Sequence, residues 1–452
     1  MIRLTIPTDP TTLDPAKVVD LASLNVVHEL NAGLTRFSGR GVEPDLAESW
    51  EPSENGLVWT FHLRKGLRWS NDVPITAEDF RRSWLRALDP ATRSAYARAE
   101  MQNIRGARRY RVTGSGDVGI EAVDDRTLRV TLQHPVPWLD EQVAWPVFFP
   151  VPRDGTATNG PFRLASRTKG RLVLDRNFNY WNVAAIKPRQ VVLTTARGAD
   201  GILPRGRLGP GFPWIQTAEP AQVGRSLPTL SLGLLWLVTK GTPLSDPSVR
   251  ALVQGSAFHL PDGLASFVPR TMPGFSTIVP AGTSASLYAP QPLRLTLAYT
   301  TQDVRAPQLA VDLQHTLSQD GVTLTLRPVP TLRELLRLAG PPAEPGIDLV
   351  LLGWSSEFFD EYNILDLFPC GSAFNVAHWC DRSYDRLMSR AVRELDDDAR
   401  YRIERKLVRK LEDEVPAIPL YGPQEHVLLE PGVRGFRWSP IGFYELMGMT
   451  RS

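Results

Sequence analysis

Apolar and polar residues alternate strictly in several short stretches of the chain. The clearest is Val58-Trp59-Thr60-Phe61-His62-Leu63-Arg64, whose period of two predicts a strand with one face buried. Arg3 to Pro7, Leu293 to Tyr299 and Val322 to Leu326 carry the same pattern. Residues 118–132 predict two strands around the turn Asp124-Asp125, and residues 162–175 predict a hairpin. A helical period replaces the alternation elsewhere. One helix is expected near Leu24 to Leu34. Another opens at Thr76-Ala77-Glu78-Asp79, where Thr caps and the acids suit the positive helix end. It runs through Phe80, Trp84 and Leu88 and stops before Asp89-Pro90. A third starts near Pro307 with the stripe Leu309, Leu313, Leu317, so that residues 293–326 read as strand, helix, strand, a βαβ unit. Asp348 to Leu352 predicts a buried strand. Helices over about 383–394 and 397–413 follow, then strands near 418–429 and 433–438. The chain is therefore expected to be α/β, with a new unit beginning near residue 230.

At 452 residues the chain exceeds one hydrophobic core and implies two or three domains. Its net charge of +2 supplies no field to gather nucleic acid or an anionic membrane, so neither is expected as a partner. No stretch of about 18 apolar residues occurs. The start, Met1-Ile2-Arg3-Leu4-Thr5-Ile6, lacks a charged segment followed by an apolar one; the expectation is that a signal peptide was removed or never present. The two cysteines, Cys370 and Cys380, have only His378 near them, too few soft ligands for a metal. They either close a short loop as a disulfide, pointing to an oxidising compartment, or stay free thiols.

Catalytic patterns are missing. The seven histidines are dispersed, and no zinc-protease helix motif, P-loop or nucleophile elbow occurs. Gly114-Ser115-Gly116-Asp117-Val118-Gly119 spells a dinucleotide fingerprint but leads into a strand, so it reads as a loop. Asp124/Asp125 fits a turn, and Asp360/Glu361 has no partner nucleophile or metal. No enzyme, cofactor or metal is expected.

Several strings, taken in order, resemble the family 5 solute-binding proteins of ABC importers, the oligopeptide- and dipeptide-binding group. They are Thr12-Leu13-Asp14-Pro15, Glu29 to Leu34, Pro44-Asp45-Leu46-Ala47-Glu48-Ser49-Trp50, and Trp59 to Ser70 continuing through Val73 to Phe80. Asn159-Gly160-Pro161-Phe162, Asn177-Phe178-Asn179-Tyr180-Trp181, Pro243 to Arg250 and Gly353-Trp354 through Leu367-Phe368 follow. The resemblance implies a type II periplasmic-binding-protein architecture, two α/β lobes joined by a hinge, with an extra domain inserted in the first lobe. Lobe I would comprise 1–38, 157–234 and 423–452, the inserted domain 39–156, and lobe II 235–422. The hinge would run near 229–236 and 420–426, and ligand would be captured between the lobes as they close. It further implies a location in the periplasm or on the outer face of the cell membrane, ABC permease subunits as partners, and a monomer; a cytoplasmic place stays open because no signal segment is seen at the start of this sequence.

A peptide taken out of water needs partners for its charged ends. The resemblance assigns its ammonium to Glu357 in Gly353-Trp354-Ser355-Ser356-Glu357-Phe358, where the family usually has Asp. Trp354 and Phe358 would wall the site, Ser355 and Ser356 would lie along it, Tyr96 and Tyr421 would hydrogen-bond the backbone, and Arg305 would take the carboxylate. Departures are the Gly/Pro-rich 198–228, a compressed 254–275, Val18-Val19 in place of an acid, and Leu351 in place of a basic residue. The alternatives are a non-peptide solute (metal chelate, oligosaccharide or opine) or a sensor without transport.

Overall fold

The computed structural model describes residues 1–6, 8–39, 41–195, 225–258, 260, 266–272, 293–303, 305–340, 344–427, 429 and 432–451. They fall into two units: residues up to 195 with 225–227 and 425 onward, and residues 228–424. The departure expected over 198–228 lies almost wholly outside the described residues, and much of 254–275 does too.

In the first unit, strand Ile2–Ile6 pairs in parallel with Gln190–Thr195, which continues antiparallel to Arg171–Arg176 and Phe162–Thr168. A second, wholly antiparallel sheet orders Ala47–Pro52, Val58–Leu63, Thr127–Thr131 and Ile120–Asp124. The alternation over 58–63 does what its period demands: Trp59, Phe61 and Leu63 are buried and the residues between them are not. Helix Ala77–Leu88 buries Phe80, Trp84 and Leu88. The Thr76 N–H donates to Asp79 Oδ2 (3.0 Å), and Trp84 Nε1 donates to the Phe148 carbonyl (2.6 Å).

Helix Leu21–Leu30 is capped by Asp20, whose Oδ1 accepts the Ser23 N–H at 2.9 Å. It stops four residues before the expected Leu34. Asn159 explains the difference: its Oδ1 accepts the Ala32 N–H (3.1 Å) and its Nδ2 donates to the Ala32 carbonyl (3.0 Å), holding the chain extended. Gly160 then lies against the helix end, where a Cβ would sit 2.5 Å from Asn31 N and 2.6 Å from Leu30 C. Backbone cannot yield as a side-chain tip can. Gly160→Ala is expected to lower the stability of this unit by about 2–3 kcal/mol, read as a fall in urea midpoint with unchanged slope.

The second unit is built on a mixed sheet ordered Val322–Val329, Leu293–Thr300, Leu349–Leu351, Ser231–Leu237. The first three are mutually parallel, and Ser231–Leu237 runs antiparallel to them. Trp354–Ser355 and Ala417–Tyr421 also pair with Ser231–Leu237. The βαβ unit read from 293–326 is present, with helix Ala306–Gln319 burying Ala310, Leu313 and Leu317; Leu309 is only partly covered. Leu351, in place of a basic residue, is buried in its strand. Helices Arg382–Ala391 and Asp397–Glu414 pack against each other. Among the described residues no helix is long and apolar enough to cross a membrane.

Candidate functional site

In the second unit, strand Ser231–Leu237 brings the predicted ligand residues together. Leu349–Leu351 pairs with one part of it, and Trp354–Ser355 pairs further along, with Leu232 opposite Trp354 and Ser231 opposite Ser355. Gly353 makes the step between them, since a Cβ there would meet the Leu232 carbonyl oxygen at 2.8 Å. Ala417–Tyr421 also pairs with this strand and sets Tyr421 opposite Gly233. Trp354 and Tyr421 thus stand on neighbours of the same strand, opposite adjacent residues, roughly 10 Å apart by strand spacing.

Each of these side chains is held. A Cβ at Gly233 would lie 2.1 Å from the Tyr421 ring, so glycine makes the room in which that ring rests. Tyr421 donates its hydroxyl to Asp303 Oδ2 (3.1 Å), and the Arg305 guanidinium lies 4.6 Å from the ring centroid. Burial and then the Asp303 charge push the Tyr421 phenol well above its ordinary range, so it stays protonated. Asp303 Oδ1 also accepts the Arg305 N–H (2.9 Å) at the start of helix Ala306–Gln319. On the other flank, Trp354 Nε1 donates to Asn363 Oδ1 at 2.8 Å. Ser355 Oγ lies 2.7 Å from Ser231 Oγ. Ser356 turns inward, its N–H on the Leu230 carbonyl (3.0 Å). Glu357 is half-buried; Phe358 is buried.

Behind this loop lies a buried acid cluster. Asp360 is 2 % exposed, Glu361 1 %, Glu404 0 % and Arg400 4 %. Arg400 donates from Nε to Asp360 Oδ2 (2.8 Å) and from an Nη to Asp397 Oδ1 (2.7 Å). Asp360 Oδ1 accepts the Tyr362 N–H at 2.8 Å, which turns the chain into helix Tyr362–Leu365. Burial first, then the Asp360 charge, raises Glu361 to about 8 and Glu404 to about 10. The pair Asp360/Glu361 is therefore an internal structural element and not an open acid/base dyad.

Tyr96 belongs to the first unit. Its ring stacks on Trp145 at 5.6 Å, and Trp145 meets Phe37 and Phe443 edge-on. Near that aromatic group, a cavity of about 50 Å³ is lined by His28, Glu29, Arg36, Asp45, Tyr180 and Glu445 among others. It is water-sized. Burial holds the His28 imidazole neutral, its pKa lowered to about 3. Asp45 takes hydrogen bonds from Tyr180 Oη (3.0 Å) and Trp181 Nε1 (2.6 Å), while Arg64 bonds the Asp45 carbonyl and stacks on Trp181.

The structure joins Cys370 to Cys380 in a disulfide. Among the described residues there is no cluster of three or more His, Cys, Asp or Glu able to hold a metal. Trp354, Ser355, Tyr421 and Arg305 gather around one strand, with Glu357 on the loop that follows. Reading the sequence missed Asp303, Asn363 and Arg400. Asp303 could have been found, because an Asp two residues before the helix-opening Arg305 is a local turn signal. The other two meet their partners only through the fold.

Comparison with known proteins agrees with this architecture. Residues 41–251 match the model for bacterial extracellular solute-binding proteins, family 5. The chain is 29% identical to the probable deoxycholate-binding periplasmic protein YgiS of Escherichia coli K12, covering 95% of this chain and 89% of the relative. It is 26% identical to the oligopeptide-binding protein OppA of Bacillus subtilis 168, covering 93% and 87%. Among solved structures, the unliganded open form of the periplasmic murein tripeptide-binding protein MppA superposes with a TM-score of 0.84 at 24% identity, covering 100% of this chain and 97% of that one.

Proposed function

We propose that this chain, which matches the bacterial extracellular solute-binding proteins of family 5 over residues 41–251 and is similar to such proteins along nearly its whole length, captures a small peptide outside the cytoplasm and delivers it to the permease subunits of an ABC importer. The observation that carries this reading is similarity along nearly the whole chain to proteins named for peptide binding. The loop after Trp354 supports it with suitable chemistry. Glu357 pairs with the peptide ammonium. Trp354 and Phe358 keep water from that pair, which strengthens it. Ser355 and Ser356 carry backbone polar groups along the same stretch. Arg305 takes the carboxylate end. Tyr421 commits its proton to Asp303, so its oxygen is left to accept an amide N–H of the ligand.

The test is calorimetry with a mixed di- to pentapeptide library and a separate deoxycholate arm. At least one peptide class is expected to bind, and Glu357→Gln is expected to weaken it by about a hundredfold, the scale of leaving one buried charge without its partner. A folded protein that takes deoxycholate and no peptide would reject the peptide reading.

A further inference from the structure

Between Arg93 and Arg111 the chain carries six arginines and a single acid. That acid, Glu100, is buried and accepts from Gln142 Nε2 at 3.4 Å, so the surface of this stretch is cationic. Neighbouring arginines of the first unit are matched: Arg81 by Glu78 (2.9 Å), Arg82 by Asp79 (3.1 Å), Arg126 by Glu48 (2.8 Å) and Arg129 by Glu121 (3.2 Å). Within the stretch only Arg105 has such a partner, Asp117 at 3.1 Å. Among the described residues no carboxylate pairs with Arg93, Arg98, Arg108, Arg109 or Arg111, and all but the half-buried Arg111 are exposed. Helix Ala107–Thr113 concentrates them. Gly106 and Gly114 bracket it in the left-handed region, at φ 77° and 69°. Its buried residue is Ala107, so at about 100° per residue Arg108 and Arg109 project outward with Val112 between them. Val112 is 76% exposed, more than any other large apolar side chain among the described residues. The patch continues past the helix. Arg108 donates from an Nη to Gln102 Oε1 (3.3 Å), four residues beyond Arg98. The helix end lies against Pro90, three residues before Arg93: a Cβ on Gly114 would sit 3.8 Å from that ring. The net charge of +2 averages this excess against acids elsewhere, so composition gives no sign of it.

We propose that this face docks on an anionic phospholipid bilayer, with the guanidinium groups on lipid phosphates and Val112 among the headgroups. A guanidinium matches phosphate oxygens two at a time. An arginine without a carboxylate partner gives its donors to the lipid with no ion pair to break first. Basic clusters of this size bind anionic membrane surfaces through added electrostatic attraction, and an apolar side chain set among the cations adds to it. Val112 decides between polyanions. It gains nothing on a phosphate polymer such as nucleic acid, but it sheds water when it enters the headgroup layer. The choice of a bilayer rests on the reading above that the chain works outside the cytoplasm and serves a permease. Docking of this kind keeps the chain beside the membrane that holds its permease.

The experiment is co-sedimentation of the full chain with vesicles of phosphatidylglycerol or of phosphatidylcholine, with duplex DNA as a separate arm. The wild type is expected to bind the phosphatidylglycerol vesicles at low salt, to leave them at high salt, and not to bind the neutral ones. Replacing Arg108, Arg109 and Arg111 together by glutamine is expected to lower the partition coefficient about a hundredfold, at about fivefold per arginine. Lysine at the same three positions is expected to keep it within about fivefold, since the charge is retained. Val112→Ser is expected to weaken vesicle binding about threefold and to leave DNA binding unchanged. Should the triple glutamine variant fail to fold, Arg93→Gln with Arg98→Gln, outside the helix, decides with an expected loss of about twentyfold. Equal binding to both vesicles, binding to neither, or a folded glutamine variant that binds like the wild type overturns the proposal. Tighter binding to DNA than to the vesicles, at equal phosphate, overturns it in favour of a nucleic-acid surface. Peptide binding without vesicle binding removes the lipid surface and leaves the peptide reading; vesicle binding without peptide binding does the reverse.

Discussion

Alanine at Arg400 is expected to cost the second unit about 3–5 kcal/mol, the range for breaking a buried ion pair by removing one partner. The guanidinium is 5 % exposed and is bound to Asp360 and Asp397 and to the Glu394 carbonyl. Without it, Asp360 stays buried with its charge met by the Tyr362 N–H and the Glu404 carboxyl, beside Glu361. The Asp360 carboxylate would then lack the guanidinium that balances it. Urea unfolding followed by far-UV circular dichroism reads the loss. Adding Asp360→Asn to the Arg400→Met variant is expected to recover more than half of it, because removing both charges together is far cheaper than removing one. A loss below about 1 kcal/mol on Arg400→Ala would sink the account of this cluster as a charge-balanced core.

The second large effect is with pH. Glu361 and Glu404 have folded-state pKa values raised from 4.5 to about 8 and about 10, by burial first and by Asp360 next, with Arg400 opposing. Arg405 also opposes for Glu361, and the Glu361 charge adds to the rise at Glu404. Both groups therefore hold a proton more tightly folded than unfolded. Their contribution is complete below about pH 4.5, where both states are protonated, and declines as pH rises through the folded values. Tyr362 and Tyr401, the phenols packed nearby, are raised further and stay neutral across this window. Asp381, lowered to about 2 mainly through Lys410 and Ser383 against its burial, acts in the opposite sense and only below the usual carboxylate range. Between pH 5 and 9 the stability of this unit is expected to fall by on the order of 3 kcal/mol. Glu404→Gln is expected to flatten that slope and to exceed the wild type at pH 9. Midpoints in urea that stay level from pH 5 to 9 in the wild type would contradict the buried, protonated pair.

Much of the architecture was readable because its determinants are local or periodic. The alternation at 58–63 and 293–299 carries its own burial pattern. The family-like strings were legible for a different reason. Several of them are knots: Asp45 receives Tyr180 and Trp181 while Arg64 closes over it, and Asn159 clasps Ala32. Polar side chains buried at such crossings admit few substitutes, so they stand out along the chain. The candidate site was legible in part. Trp354 and Tyr421 flank one strand and Arg305 lies against the Tyr421 ring, an arrangement no local pattern announces, and their supports come from elsewhere. Asn363, Asp303 and Gly233 act through distances of one hydrogen bond or one missing methyl, which no spacing encodes. Arg400 looked like any charged residue of an amphipathic helix until Asp360 was found against it.

The strand Ser231–Leu237 is closed by segments numbered 349–355 and 417–421, far downstream of it. Such pairings are entropically slow to form, because long stretches of chain must be looped before any contact rewards the search. During synthesis, the segment bearing Gly233 emerges long before Tyr421 exists. A nascent chain that has not yet reached that tyrosine lacks the ring that rests on Gly233, so this part of the sheet is completed late in the maturation of the polypeptide.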